Sequence, residues 1–415
     1  MIWSSLPVLP DPQQGMLPIF DRWAEAHCPL YEDCGCGATP PCGCIHPEPE
    51  RRYQCGDCNI ICLERRRPPY GRTAERAIGR TFAESSSLEQ VSVRPVVPPT
   101  FPVLIPTRTD ELPTTRRLDL AWVAMDAKQL LGRVKLDGSV RSRIAGYGPD
   151  RLRGVLRVRP ETQILGVLNG ADSILEGFWK MRRGEFYQSA AQARIAWFTG
   201  PTFSVVQEGP KIPASHNVAM LRRHSRVLQE IGEAGLPAAP NLYWRDERGR
   251  HRWVEWLHRN EQVWVVSRDF SRSKPSGPFR SHLNGLIDVV KRVDRPLHVL
   301  LVGVGPGNGG VAIRRLAEVG ATCSVVTAAP IGEAMFGGKQ LRRTPSGHLI
   351  ASPAPGISRF DLIVPNIEAA EEHLLRITRD LPGYSVSRSN TLPSPVAVEP
   401  GTADRTMEQL VRVLE

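Results

Sequence analysis

Lysine is nearly missing from this chain: seven of its 53 basic residues are lysines, and the rest are arginines. Cysteine is missing from most of it, for only Cys323 lies outside residues 28–62, so the long remainder has no thiols for a disulfide framework. No apolar run approaches the roughly 20 residues of a membrane helix, which argues against a spanning segment and against a membrane partner. The N-terminus, MIWSSLPVLPDPQQG, has no basic residue and is interrupted by prolines. It therefore lacks the basic start and apolar run of a secretory signal. These absences predict a cytoplasmic protein, in which thiols stay reduced and disulfides are rare.

What is present is a dense cluster of sulfur. Cys28, Cys34, Cys36, Cys42, Cys44, Cys55, Cys58 and Cys62 follow the spacing Cys-x5-Cys-x-Cys-x5-Cys-x-Cys-x10-Cys-x2-Cys-x3-Cys. Reduced thiolates this close are expected to hold metal. Eight of them suit two four-ligand sites, or one site with spares. Zinc favours paired Cys-x2-Cys knuckles, and only Cys55 and Cys58 make one. The run Cys55-x2-Cys58-x3-Cys62 suits an iron–sulfur cluster whose fourth thiolate comes from upstream. Both metals stay open. His46 is either a zinc ligand or an exposed loop histidine.

The 415 residues are 41% hydrophobic, enough for a real core, and carry a formal charge of +10. Such a balance favours polyanions, nucleic acid being the commonest. Arginine grips phosphate and guanine bidentately, although a GC-rich genome also inflates it. Distribution supports a nucleic-acid partner. Arg65, Arg66, Arg67, Arg72, Arg76 and Arg80 crowd the stretch directly after the cysteines. A basic arm beside a metal module is a common nucleic-acid footprint.

The domain reading is a cysteine-rich module (1–66), a basic arm with a proline-rich connector (67–117), a β/α domain (118–380) and a C-terminal extension (381–415). Within the third, LDLAWVAM, TQILGVL, ARIAWFTG, PAAPNLYW, QVWVVSRDF, LHVLLVGVG, ATCSVVTA and FDLIVPN read as buried strands. Amphipathic helices alternate with them, as in NVAMLRRHSRVLQEIGEAG and NIEAAEEHLLRITRD. Strict β/α alternation predicts a parallel sheet. Eight strand candidates predict a TIM-like (β/α)8 barrel, complete or incomplete, with an open doubly wound sheet as the alternative.

In either architecture the active face lies at the carboxyl ends of the strands. The residues there include Asp126, Asn169, Asp172, Thr199, Pro201, Ser204, Asn241, Trp244, Arg245, Arg268 and Asp269. Asp126, Asp172 and Asp269 are the candidate acid, base or nucleophile, while Asp126 and Asp172 could equally cap helices. No His/carboxylate cluster of metal-ligating type occurs among these residues, which argues against a metal hydrolase. The loop GVGPGNGG, with Gly303 and Gly305, lets backbone N–H groups approach a phosphate or a base. It lacks the downstream acidic residue of a dinucleotide fingerprint. Trp244, Trp253, Trp256 and Trp264 lie among arginines and read either as core or as a stacking surface for bases.

The stretch PLHVLLVGVGPGNGGVAIRRLAEVGATCSVVTAAPIGEAMFGGKQL, about a tenth of the chain, resembles the late barrel strands of tRNA-guanine transglycosylases and their DNA-modifying paralogues. Pro296, His298, Gly303 and Gly305 match that family's base-binding run, and Gly337, Gly338 and Lys339 match a later segment. Cys323, Ser324 and Thr327 stand on the strand where the family carries its nucleophilic aspartate. The family's zinc-ligand run near the C-terminus is absent here. The resemblance implies a barrel that holds an extruded base. Residues 164–343 are also similar in layout to uncharacterised phage and mobile-element domains, through Gly200–Ser204, Asn217 with Arg222, Pro240–Trp244 and Gly303–Gly305. That likeness implies a mobile-DNA setting. Three functions follow as expectations: a transglycosylase-like enzyme acting on nucleic-acid bases, a non-catalytic DNA- or RNA-binding accessory protein, and an iron–sulfur redox enzyme.

Overall fold

The computed structural model describes residues 87–93, 95–108, 117–132, 140–203, 205, 214–244, 247–273, 276–381 and 384. The cysteines from Cys28 to Cys62 and the arginines from Arg65 to Arg80 lie outside the described residues, as do Ser204, Arg245 and residues 385–415.

Among the described residues eight short strands run parallel: β1 (Leu104–Pro106), β2 (Trp122–Asp126), β3 (Gln163–Val167), β4 (Trp197–Thr199), β5 (Ala238–Ala239), β6 (Val265–Asp269), β7 (His298–Val302) and β8 (Thr322–Thr327). They form two sheets, ordered β2-β3-β4-β5 and β6-β7-β8-β1. Single parallel bridges, Thr107 to Ala124 and Asn241 to Ser267, join the sheets at both edges. The strands therefore follow one another round in chain order, as a barrel-like α/β core. Going round from Thr107, the pairing level rises by two residues at each of three places: Trp197 to Thr199, Ala239 to Asn241, and Ser324 to Val326. It returns on Ile105, two residues before the start, so the stagger totals eight residues. Eight is the shear of eight-stranded β/α barrels.

The register divides the side chains into two apolar clusters. Ile105, Trp122, Ala124, Leu165, Val167, Trp197, Ala239, Val265, Leu300, Val302 and Val326 form an inner one with Phe101. Their strand neighbours, such as Val123, Ile164, Phe198, Val266, Leu301 and Val325, join the helices in a larger outer one. Strands buried on both faces read as continuous apolar runs, which is why they were legible. At the amino end Phe101 closes the inner cluster. It lies 4.8 Å from Trp122 and stacks on His298 at 5.1 Å, between ring centroids. His298 bonds Thr322 and Ser324 through its two nitrogens, at 2.9 and 3.0 Å.

Helices follow the strands. They are α1 (Ala127–Leu131) and α2 (Pro149–Leu156) after β2, α3 (Asp172–Lys180) and α4 (Arg183–Gln192) after β3, and α5 (Ala214–Glu233) after β4. Then come α6 (Glu247–Arg259) after β5, α7 (Ser276–Val293) after β6 and α8 (Pro306–Ala317) after β7. After β8 come α9 (Ala329–Met335), an antiparallel hairpin of β9 (Lys339–Arg343) and β10 (Leu349–Pro353), and α10 (Ile363–Arg379). No helix among the described residues is long and apolar enough to cross a membrane.

Two segments differ from the sequence expectation. FDLIVPN is no strand: Phe360–Leu362 form a turn and Ile363–Asn366 open α10. Both edges of β8 are already taken, by β7 and β1, so no place is left beside it. Ile363, Ile367, Ala370 and Leu374 bury one helical face, and Pro365 falls in the first turn, where its missing N–H costs nothing. The eighth strand is instead β1, carried by the proline-rich stretch assigned to the connector.

The tryptophans divide as well. Trp253 and Trp256 are buried on α6, while Trp264 is 44% exposed beside Arg295. Trp256 is fully buried, donates its indole N–H to Val91 O at 3.0 Å, and packs edge-on against Trp253. It thus ties the segment Leu88–Val91 to the helical layer. Trp256→Ala is expected to cost about 3–5 kcal/mol in a urea titration, whereas Trp264→Ala stays within about 0.5 kcal/mol. Equal costs would contradict this packing.

Candidate functional site

The carboxyl ends of β2 to β6 bring together Asp126, Asn169, Thr199, Asn241 and Asp269. By register Asp126, Thr199, Asn241 and Asp269 continue the inward-facing rows. The two carboxylates at this mouth are committed to shaping its loops. Asp126 Oδ1 accepts the Gln129 N–H at 2.9 Å, and Gln129 Oε1 accepts the Asp126 N–H at 3.1 Å, a reciprocal cap on α1. Asp269 Oδ1 accepts the Ser271 N–H at 2.8 Å, turning the chain out of β6. Asp172, the exposed first residue of α3, takes Arg272 Nη2 at 3.0 Å. That ion pair joins the loop after β3 to the loop after β6.

The amides behave differently. Asn241 is 1% exposed, and its Nδ2 donates to Thr202 Oγ1 at 2.8 Å, but its Oδ1 has no partner. Asn169 is 8% exposed, and neither its Oδ1 nor its Nδ2 has a partner. The two are linked by their neighbours. The Leu168 N–H donates to Thr199 Oγ1 at 3.2 Å, and the Thr202 N–H to Leu168 O at 3.3 Å. A buried amide group left without a partner costs about 1–3 kcal/mol. Three such atoms at one mouth define a place where a ligand with matching donors and acceptors gains what the empty site forgoes.

His224, on α5, stands behind this row. Its Nδ1 lies 2.7 Å from Pro201 O, its Nε2 is unpartnered, and the ring packs edge-on to Tyr243 and Trp253. A Cβ on Gly200 would sit 2.3 Å from the imidazole, so only glycine fits there. Sequence reading passed over this histidine. The signal was its place between Met220 and Val227 on the buried face of the helix. Burial lowers its pKa from 6.5 to about 4. The unfolded chain thus takes up a proton below about pH 6.5, and the folded chain only near pH 4. The residue's contribution is intact above that window and is lost as pH falls through it. The urea midpoint should therefore drop on acidification from pH 7 to pH 4.5, and less steeply in His224→Gln; equal slopes would contradict the burial argument.

The glycine loop is explained mostly by packing. Gly303 has φ +75°, and a Cβ there would lie 2.7 Å from Ser271, so the loops after β6 and β7 touch. Gly309 and Gly310 let α8 approach Val325 and Ile377. Gly305, the N-cap of α8, and Gly307 face open space. Pro296 and His298 lie at the amino end of β7, with Gly303 and Gly305 beyond its carboxyl end, so the strand separates the two halves of that run.

Arg268, on β6, is 3% exposed; burial lowers its pKa to about 10. Cys323 is buried, which pushes its thiol pKa up and away from reactivity. Among the described residues no group of three His, Cys, Asp or Glu side chains is placed to hold a metal ion. No protein-family model matches the chain, and no curated protein sequence matches it.

Proposed function

We propose that this chain is a (β/α)8-barrel protein that binds a nucleic-acid base at the carboxyl-end mouth of its barrel, with a metal-holding N-terminal module and an arginine arm that grips the backbone. The observation that carries this reading is the pair of buried amides, Asn169 and Asn241, with three unpartnered side-chain atoms. A side-chain amide presents a donor and an acceptor side by side, the pattern that a base edge complements. The two uncharged amides suit an uncharged, planar group, and the +10 chain supplies the attraction for the polyanion that carries it.

Binding without turnover is the reading that the carboxylates favour. Asp126 and Asp269 are held by backbone N–H groups and Asp172 by Arg272, so each has a structural task. Transglycosylase-like chemistry remains the alternative, with those three as acid, base or nucleophile. Single Asp→Asn variants separate the two readings: base exchange abolished by one of them, in a protein that still binds, establishes the enzyme.

The binding reading is tested with single-stranded oligonucleotides at fixed salt. Asn169→Ala and Asn241→Ala are each expected to weaken binding roughly tenfold or more, in proportion to the 1–3 kcal/mol of a paired amide–base contact. Unchanged affinity in both would contradict it.

A further inference from the structure

The stretch that follows β8 and α9 differs in charge from the chain around it. From Phe336 to Phe360 it carries Lys339, Arg342, Arg343 and Arg359, with no aspartate or glutamate. Apolar surface collects in the same place. Among the described residues nine large apolar side chains are exposed, and five of them are Phe336, Ile350, Ile357, Phe360 and Val364. Exposed apolar side chains scattered singly need no explanation, whereas a gathering of them marks an interaction surface.

The geometry joins these residues. β9 and β10 pair antiparallel, with Arg342 opposite Ile350 and Leu341 opposite Ala351. Side chains alternate along a strand, so the ribbon that buries Leu341 turns Gln340, Arg342, Ile350 and Ser352 to its other face. There Gln340 Oε1 accepts Nε and Nη2 of Arg342 at 3.0 and 2.7 Å, which fixes the guanidinium on the face that carries Ile350. At the base of the hairpin the Ala354 N–H donates to Gly338 O and Arg359 Nη1 donates to Met335 O, both at 3.1 Å. The second bond brings together the residues that follow its two ends, Phe336 and Phe360, which are 65% and 38% exposed. Lys339 pairs with Glu333 at 3.4 Å. Arg342, Arg343 and Arg359 instead bond the Gln340 amide and the carbonyls of Gly347 and Met335, so no carboxylate among the described residues answers their charge.

The hairpin is fixed to the rim of the barrel. Asn366, buried at the start of α10, accepts the Leu341 N–H at 2.7 Å and donates to Pro330 O and Lys339 O at 3.1 and 3.0 Å. Pro330 lies in the first turn of α9, just beyond the carboxyl end of β8.

We propose that this hairpin, with Phe336 and Phe360 at its base, is a docking surface for single-stranded nucleic acid at the edge of the barrel mouth. A single strand offers in one molecule what the surface lacks, a negative charge at every residue and flat apolar faces between the charges. The arginines meet the phosphates, and the two rings take bases by stacking. The choice of nucleic acid rests on the base-binding reading above; the surface itself does not involve Asn169 or Asn241.

The test is the fluorescence anisotropy of a labelled oligothymidylate, titrated with the full-length protein at several salt concentrations. Phe336→Ala combined with Phe360→Ala is expected to weaken binding about tenfold or more at fixed salt and to leave the salt slope unchanged, because stacking releases no counterions. Arg342→Gln combined with Arg343→Gln should lower the slope of log K against log salt by about 1.4, at roughly 0.7 per phosphate contact. All four side chains are exposed, so both variants should melt with the wild type. Should the phenylalanine pair fail to fold, the arginine pair decides alone. Wild-type affinity and slope in the arginine pair overturn the surface. A loss confined to the arginine pair, with polyglutamate of matched charge competing as well as the oligonucleotide does, assigns the surface to an acidic protein and overturns the nucleic-acid choice. Weaker binding by the hairpin variants, with wild-type affinity in Asn169→Ala and Asn241→Ala, keeps this surface and removes the base reading. The reverse pattern removes the surface and keeps the base reading, and a wild type that binds no oligonucleotide removes both.

Discussion

Stripping metal from the purified protein with a chelator is expected to unfold its N-terminal module while leaving the barrel-like core intact. Eight cysteines within thirty-five residues stand beside few apolar residues, so burial alone would contribute little to ordering that stretch. Metal binding would supply the folding free energy, on the order of 10 kcal/mol for a structural zinc site. Elemental analysis should find bound zinc or iron. Visible absorbance that depends on Cys55, Cys58 and Cys62 would assign an iron–sulfur cluster, and a colourless protein with stoichiometric zinc would assign the other. After chelation, amide exchange should quicken across residues 28–62 and stay slow in β3, β7 and β8. A preparation free of metal whose eight thiols alkylate in the native state would contradict the module.

The second large effect is on binding. Raising salt from 50 to 200 mM should weaken oligonucleotide binding roughly a thousandfold or more, as expected for six to ten phosphate contacts that release counterions. The arginine arm is expected to carry much of this. Replacing Arg65, Arg66, Arg67, Arg72 and Arg76 with alanine should reduce the slope of log K against log salt by about 3 to 4, at roughly 0.7 per contact with a single strand. An unchanged slope would move the contacts elsewhere. Salt-insensitive binding would exclude a polyanion altogether.

Much of the core was legible because a parallel strand covered on both faces is apolar throughout. LHVLLVG and ATCSVVTA could hardly be anything else, and both are strands. FDLIVPN has the same texture but runs from a turn into the start of a helix, because nothing local tells an apolar strand from the buried first turn of a helix. β1 was missed for the converse reason. Prolines flank it, yet a three-residue strand can end on Pro106, since β8 supplies the pairing. The site was legible in part. The rule of carboxyl ends picked out Asn169, Asn241, Arg268 and Asp269, but not which of them would be satisfied. Asp126 and Asp269 find their partners two or three residues away, whereas Asn169 depends on what the whole ring leaves open. His224 was passed over because a histidine on an amphipathic helix looks like any other half-polar position.

The side-chain amide resonances of Asn169 and Asn241 give the most direct test of a base at the mouth. With uniformly 15N-labelled protein, adding a single-stranded oligonucleotide should shift both Nδ2 signals and slow their hydrogen exchange, as the unpartnered atoms acquire partners. Signals that stay in place while the oligonucleotide is demonstrably bound would put the base somewhere else and contradict the account.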